Sequence, residues 1–339
     1  MTHEFVDIVK KAIVNQQNGI QNVLATVVYL EGSSYRKPGV RMLISESGEM
    51  IGAVSGGCVE KEVKSRAQSV FKEGKAKVIT YDGRYRLGCE GILYILIEPF
   101  SITDNCVKDF EEVLQNRTSF TIKSFFVKED NAEGNFGSLL SFSGGKEYVF
   151  NNTFLKPATQ NLEIFTQELQ PRTKLLIIGG EHDAVKLCAM ASLLGWEIDV
   201  ITSIKDPKEI SDFPGATTVQ AQAPELAELI IDSDTVVVLM THNYVQDLKF
   251  LLKLIEQQPQ YIGILGSSKR RDQLENDLFY YRENLTDEML ESIYSPAGLN
   301  IGAITPEEIA LSILSEILSV IRNKEPFSLR NIKGKIHIE

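Results

Sequence analysis

The sequence has little cysteine, and it is short of positive charge. Its 339 residues include four cysteines, Cys58, Cys89, Cys106 and Cys188, and no two of them form a CxxC pair. So few thiols argue against a disulfide scaffold or a zinc knuckle and favour the reduced thiols of a cytoplasmic protein. A formal net charge of −11 argues against nucleic-acid binding, because the protein would repel the phosphate backbone.

Long apolar runs are also lacking. No stretch approaches the roughly 18–20 apolar residues that a membrane-spanning helix needs. The opening segment MTHEFVDIVKKAIV is amphipathic, which differs from the continuous apolar core of a signal peptide. Its apolar face is formed by Phe5, Ile8, Val9, Ala12 and Ile13. We therefore expect a protein of the cytoplasm that makes no membrane contact.

The first part of the chain predicts a mixed α/β domain. Because the sequence has 339 residues, it is too long for one typical core, and we expect more than one domain. The strand-like segments QNVLATVVYL, VRMLISESGEMIGAV, AKVITYD and GILYILIEPF surround a helix that should begin near Cys58 and end about Gly74. This domain should span residues 1–105. Residues 106–168 show a weaker pattern, which predicts peripheral strands and a linker.

The pattern becomes sharper from Lys174 onward. KLLIIGG, EIDVIT, DTVVVLM and YIGILG alternate with helical segments, which predicts right-handed βαβ units and a doubly wound parallel sheet. This Rossmann-like domain should span residues 169–325, with a tail over residues 326–339. The predicted fold class is therefore α/β, with a mixed N-terminal domain and a parallel C-terminal sheet. Thr305, Pro306 and Glu308 predict a capping box at the start of the last helix.

One thiol has a distinctive position. VSGGCVEKEV places Cys58 in the first turn of a helix, directly after Gly56 and Gly57. Unpaired backbone N–H groups and the positive end of the helix dipole stabilise a thiolate there and can hold an anion. A thiolate is also a good ligand for a thiophilic metal. The same pattern fits a small buried packing residue, and the residues alone leave both roles open.

The loop GSSYRKPGVR gathers basic, hydroxyl and aromatic side chains in an otherwise acidic protein. Guanidinium groups can bind a phosphate, and a tyrosine can stack on a planar ring. A solvated hairpin tip is the alternative. Cys89, in the glycine-flanked turn RLGCEG, either assists Cys58 or packs in the core. The candidate ligand-binding residues of the loop are Ser33, Ser34, Tyr35, Arg36, Lys37 and Arg41.

Together these segments resemble a known family. EGSSYRKPGVRMLI, GAVSGGCVEKEV and LGCEGILYILIEP are similar to the N-terminal half of the XdhC/CoxI family, the maturation proteins of molybdenum hydroxylases such as xanthine and carbon-monoxide dehydrogenases. KLLIIGGEHDA, YIGILGSSKRR and PAGLNIGAITPEEIALSILSEI resemble its C-terminal Rossmann-like domain. The matching segments follow in the same order over residues 5–105 and 170–322, which makes the resemblance more specific than any single motif.

The resemblance implies a chaperone, not a metabolic catalyst, that binds the molybdenum cofactor (molybdopterin). Such a protein shields the cofactor while a cysteine desulfurase installs the terminal sulfido ligand. It then inserts the cofactor into an apo hydroxylase of the xanthine-dehydrogenase type. The family's GGC cysteine falls on Cys58, which would bind the molybdenum, and the family's GSS-x-R-x-x-G-x-R loop falls on Gly32–Arg41. A homodimer is also expected.

The Rossmann-like half departs from the dinucleotide-binding fingerprint. The pattern G-x-G-x-x-G/A lets the backbone approach a pyrophosphate at a helix start. Here Glu181 replaces the second glycine, and its carboxylate would repel the pyrophosphate. Thr202 stands where an aspartate would bind ribose hydroxyls. The residues expected at the ligand crevice of this sheet, for which ordinary loop roles are the alternative, are Gly179, Gly180, His182, Thr241, His242, Gly266 and Ser267.

Two other functions stay open from the residues. The first is an NAD(P)-dependent oxidoreductase that works through the Rossmann-like domain, and Glu181 and Thr202 count against it. The second is a cysteine-based redox or metal sensor that uses Cys58 and Cys89.

Overall fold

The structure is a computed structural model that describes residues 1–32, 34, 37–83, 91–156, 162–282 and 284–332. The chain divides into two compact units, Met1–Pro171 and Arg172–Glu339, and each is described by itself. Within the described residues, no helix has the length and apolar composition needed to cross a bilayer.

The first unit contains two antiparallel sheets. Its elements are α1 (Thr2–Gln17), β1 (Asn22–Glu31), β2 (Arg41–Ser45), β3 (Met50–Gly52), α2 (Cys58–Glu73), β4 (Lys77–Asp82), β5 (Ile92–Pro99), α3 (Asp104–Gln115), β6 (Phe120–Phe126), β7 (Ala132–Glu133), β8 (Gly137–Ser141), β9 (Glu147–Val149) and β10 (Glu163–Leu169). The larger sheet has the order β3-β2-β1-β5-β4-β7, and the smaller has the order β10-β6-β8-β9. The central strand β1 is apolar over most of its length because both of its faces are covered.

Helix α2 covers one face of the larger sheet, where it contacts β5 and β1. The side chain of Lys77, at the start of β4, donates a hydrogen bond to the hydroxyl of Ser69. On the other side, Lys64 donates to the carbonyl of Gly48 at 2.7 Å, in the turn between β2 and β3. The helix begins at Cys58, and Gly74 closes it in the left-handed conformation, as the sequence predicts.

Residues 106–168 contribute more than peripheral strands and a linker. Helix α3 and the smaller sheet join α1 in one hydrophobic core. The ring of Phe5 lies within 6.0 Å of the rings of Phe110, Phe120 and Phe150. The sequence signal is weak because short strands alternate with turns rich in Asn, Gly and Ser, although the inward-facing aromatics are sufficient to fill a core.

The second unit is a doubly wound parallel sheet. Its elements are β11 (Lys174–Ile178), α4 (His182–Leu193), β12 (Glu197–Thr202), β13 (Thr218–Ala221), β14 (Thr235–Leu239), α5 (Tyr244–Leu254), β15 (Tyr261–Ile264), α6 (Ser268–Tyr281), α7 (Asp287–Glu291), β16 (Ile293–Tyr294) and α8 (Pro306–Ile321). The strand order is β13-β12-β11-β14-β15-β16, with parallel neighbours throughout. The predicted α/β fold class is confirmed, and so is the capping box of Thr305 and Glu308 on α8. The short outer strands β13 and β16 escaped sequence analysis.

A buried carboxylate links the two sheets of the first unit. Glu98, on β5, is 0% exposed. Its two oxygens accept hydrogen bonds from the backbone N–H of Ser138 at 2.8 Å and from the Ser138 hydroxyl at 2.6 Å. Burial raises the pKa of Glu98 to about 7, although the hydrogen bonds from Ser138 and the charge of Arg41 act in the opposite direction.

This carboxyl should make stability depend on pH. In the unfolded chain it titrates near its ordinary value of 4.5, whereas the folded protein keeps the proton up to about pH 7. The stability from protonated Glu98 is therefore complete below pH 4.5 and is lost as the pH rises through about 7. Between about pH 5.5 and about pH 8, the free energy of unfolding should fall by about 2 kcal/mol more in the wild type than in Glu98→Gln.

Urea unfolding at the two pH values measures this difference. Glu46→Gln, at an exposed glutamate, is the matched control and should follow the wild type. Equal pH dependence in the wild type and Glu98→Gln would contradict the prediction.

Candidate functional site

Two connections singled out in the first unit leave its larger sheet at one end. Glu31, at the end of β1, pairs with Ile92, at the start of β5, and Ile92 pairs with Asp82, at the end of β4. The connections that follow Glu31 and Asp82 therefore leave the sheet side by side. Cys58 begins α2, the helix that packs on one face of this sheet.

The described residues include some of the predicted ones. Ser34 is half-buried, and Gly56 and Gly57 are exposed. Cys58 is described through its main chain, which starts α2, and its side chain lies outside the described structure. Also outside the described residues are Ser33, Tyr35, Arg36 and Cys89.

The turn before α2 is held by an acid inside the helix. Glu60 is 8% exposed, and its carboxylate accepts hydrogen bonds from the backbone N–H of Ser55 at 2.7 Å and of Gly57 at 2.6 Å. A carboxylate is favoured in the first turn of a helix by the helix dipole. Gly57 has φ +109°, a conformation that strongly favours glycine. The Glu60 carboxylate thus occupies one backbone N–H group that sequence analysis assigned to an anion.

Arg41 does not line this end of the sheet as predicted. It is 7% exposed, and its guanidinium donates to the carbonyl of Gly39 at 2.9 Å and to the side-chain oxygen of Gln167 at 2.5 Å. The guanidinium carbon lies 5.6 Å from the ring centre of Phe5. Burial lowers the pKa of Arg41 to about 10, and the charge of Glu98 opposes this shift. A guanidinium held inside the first unit cannot reach a phosphate at the loop, because β2 begins at Arg41 and turns its side chain inward.

Tyr81 is a residue that sequence analysis missed. It is 5% exposed and belongs to the core cluster that joins the sheet to α2. Its hydroxyl is buried and has no hydrogen-bond partner among the residues that the structure describes. Most buried polar groups in proteins are paired, so an unpaired hydroxyl calls for a reason. The one sequence signal is a phenol at the end of an otherwise apolar strand, in AKVITYD.

In the second unit, the strand order reverses between β11 and β14, which is where doubly wound sheets bind ligands. Gly179 follows β11, and a Cβ atom there would lie 2.4 Å from the carbonyl oxygen of Met240. Glycine therefore permits the loops after these two strands to touch. Gly180 is half-buried in the same loop, and His182, the first residue of α4, is exposed.

Polar and ionisable side chains contact one another in this crevice. His242 and Asp183 approach to 3.5 Å between Nε2 and Oδ2. The hydroxyl of Thr241 donates to Oδ1 of Asp247 at 2.6 Å, and the Arg270 guanidinium contacts the other oxygen of Asp247. Thr241 and His242 thus both face protein partners.

Two other predicted crevice residues help to start a helix. Gly266 and Ser267 lead from β15 into α6, and the Ser267 hydroxyl accepts a hydrogen bond from the backbone N–H of Arg270 at 3.4 Å. This is the geometry of a helix N-cap. In the described part of both units, His, Cys, Asp and Glu side chains form no group of three arranged to hold a metal ion.

Comparison with known proteins identifies the family. A model described as "XdhC and CoxI family" matches residues 16–82, and one described as "XdhC Rossmann domain" matches residues 175–317. A Bacillus subtilis protein named as a probable subunit of xanthine dehydrogenase is 31% identical over 316 residues, which cover 87% of this chain and 92% of that protein. The chain belongs to the XdhC and CoxI family.

Two further relatives of this XdhC and CoxI chain are informative. The Escherichia coli "molybdenum cofactor insertion chaperone PaoD" is 25% identical over 328 residues, covering 96% of this chain and 91% of PaoD. A crystal structure of a protein named as a xanthine dehydrogenase from Bacillus halodurans aligns with a TM-score of 0.75 at 28% identity. The alignment covers 94% of this chain and 96% of that one.

The geometry of the turn in this family member gives a test of Glu60. Glu60→Ala should lower the free energy of unfolding by about 1–3 kcal/mol, because two backbone N–H groups lose a charged acceptor. Glu60→Gln keeps one side-chain oxygen and should cost less. Urea unfolding measures both, and Glu111→Ala, at an exposed helical glutamate, should leave stability unchanged. Wild-type stability in Glu60→Ala would show that the two hydrogen bonds do not hold the turn.

Proposed function

We propose that this protein is a maturation factor that carries the molybdenum cofactor. In this proposal it binds the cofactor at the start of α2, protects it, supports its sulfuration by a cysteine desulfurase and inserts it into a hydroxylase of the xanthine-dehydrogenase type. It acts in the cytoplasm and as a homodimer. The cofactor is cargo that is passed on, and no reaction of a metabolite is assigned to the chain.

The family supports the general role. PaoD is named as a molybdenum cofactor insertion chaperone and aligns over almost the whole of this chain. The Bacillus subtilis relative is named for its place in xanthine dehydrogenase. A family that serves molybdenum hydroxylases without catalysing their reactions is expected to include both a protein named for the hydroxylase and one named for insertion of its cofactor.

One observation carries the proposal to particular residues. The two connections that contain the predicted loop and Cys89 leave the sheet side by side. In the proposal, the start of α2, where Cys58 lies, faces these connections. Ligands with several chemically different parts need such a convergence of segments from distant parts of the sequence. The cofactor has an anionic phosphate, a planar pterin and a thiophilic metal, and these parts match basic, aromatic and thiol side chains respectively.

The described residues fit an entering ligand. A Cβ atom at Gly56 or Gly57 would meet no described heavy atom within 4 Å, so the surface at this turn is open. In the proposal the Cys58 thiolate binds the molybdenum. Ser33, Ser34, Tyr35, Arg36 and Cys89 stay as predicted contacts, and Arg41 is withdrawn because it is buried.

Replacement of Cys58 tests the assignment. The full chain is incubated with cofactor released from a molybdenum enzyme and passed through a gel-filtration column. Bound molybdenum is then measured by metal analysis, and the pterin is measured by the fluorescence of its oxidised form. Cys58→Ala should lose most of the bound molybdenum and pterin, because the metal loses its protein thiolate. Urea unfolding should show that the variant is folded.

Cys106→Ala is the matched control. Cys106 is a second thiol of the first unit, 4% exposed in the core, so its loss should leave retention of the cofactor unchanged. Retention by Cys58→Ala at the wild-type level would refute the role of this thiol.

A further inference from the structure

Polar side chains lie inside the first unit, between its two sheets. Arg41, which begins β2, stands directly opposite Thr26 of β1. Leu24 and Leu43, the next residues but one along the two strands, belong to the core shared with the smaller sheet. Because side chains alternate along a strand, Thr26 and Arg41 point to that same side. The Arg41 guanidinium accordingly reaches Gln167 of β10.

Three polar atoms of this pair are buried and unpaired. Nη1 of Arg41 donates to the carbonyl of Gly39 and to Gln167, whereas Nε and Nη2 have no hydrogen-bond partner among the described residues. The same holds for the hydroxyl of Thr26, which is fully buried. Most buried polar groups are paired, so three unpaired ones on neighbouring strands indicate a missing acceptor.

The unpaired guanidinium atoms share one edge of the group. In an arginine side chain, the N–H of Nε and one N–H of Nη2 are parallel, and together they bind a single acceptor or a carboxylate-like pair of oxygens. Residues directly opposite each other in an antiparallel pair have Cβ atoms about 4.5–5.5 Å apart. The Thr26 hydroxyl therefore adds a third donor from the adjacent strand.

The positive charge of Arg41 decides which acceptor is favoured. Its described contacts are a carbonyl, an amide and the ring of Phe5, and none of these carries a full negative charge. Burial lowers the pKa of Arg41 to about 10, so the guanidinium stays charged at neutral pH. Burial raises the pKa of Glu98 to about 7, so this acid is uncharged in mildly acidic solution. A buried cation needs a counter-charge, which an anion supplies and a water molecule does not.

We propose that the first unit binds one chloride ion between its two sheets, held by Nε and Nη2 of Arg41 and by the hydroxyl of Thr26. A small inorganic anion is required because both residues are buried beneath the strands, which leaves no path for a phosphate ester. The ion would neutralise Arg41 and stabilise the packing of the two sheets. The inference does not depend on the proposed function, which assigns no role to either residue.

The chloride dependence of stability tests the inference. The full chain is unfolded in urea at about pH 6, where Glu98 keeps its proton. Sodium chloride is exchanged for sodium gluconate at constant ionic strength, so that screening of surface charges stays the same. Gluconate is too large for an enclosed site. Above the dissociation constant, each tenfold rise in free chloride should raise the folding constant about tenfold, because the ion binds the folded state alone.

Three variants locate the ion. Arg41→Met should abolish the chloride dependence, whatever its stability in gluconate, because the charged donors are gone. Thr26→Val keeps the shape of its side chain and should need about 10-fold more chloride for the same stabilisation, as expected for the loss of one hydrogen bond to a charged group. Arg66→Met removes an exposed arginine of α2 and is the matched control, with the wild-type dependence expected.

Crystals grown in sodium bromide give an independent measurement. Anomalous scattering should place a bromide ion beside Nε and Nη2 of Arg41. A wild type whose stability does not respond to chloride overturns the inference, and ordered water then pairs these donors. A chloride dependence that persists in Arg41→Met and Thr26→Val also overturns it, because the ion binds elsewhere. If Arg41→Met does not fold, Thr26→Val and the bromide position decide the result.

Discussion

The apolar packing of α2 on the larger sheet of the first unit is the constraint on which the candidate site depends. The helix shares one core cluster with β1, β4 and β5. Lys64 donates to the carbonyl of Gly48 in the turn after β2, and Ser69 accepts from Lys77 of β4, so contacts on both sides hold the helix on the sheet. The sheet register brings the connections after β1 and β4 to one end of the sheet.

The acid in the first turn changes how the site can recognise an anion. Glu60 occupies the N–H of Gly57 and places a carboxylate beside the turn, so part of the positive potential of the helix start is already neutralised. In the proposed function, an anionic cargo would then be held by the thiolate–metal bond and by the basic loop.

The second unit retains the sheet of a nucleotide-binding fold but differs at the point where nucleotides bind. His242, after β14, contacts Asp183 of α4, and Arg270 of α6 pairs with Asp247 of α5. Glu181 adds a further carboxylate where a pyrophosphate would approach. The buried strands do not depend on these loops, so the fold persists while the crevice chemistry changes. The parallel sheet therefore does not by itself indicate nucleotide binding, which depends on the residues of the crevice.

The sequence by itself determined the α/β class, the start and end of α2, the capping box of α8 and the family, because these depend on local periodicity, on caps and on ordered motifs. Tertiary structure decided the rest. Arg41 looks like a loop cation in GSSYRKPGVR, yet the strand register turns it into the core. Tyr81 ends an apolar strand, and its hydroxyl is buried in the core that joins the sheet to α2. In both cases the strand neighbours, which lie far apart in sequence, determine what the side chain faces.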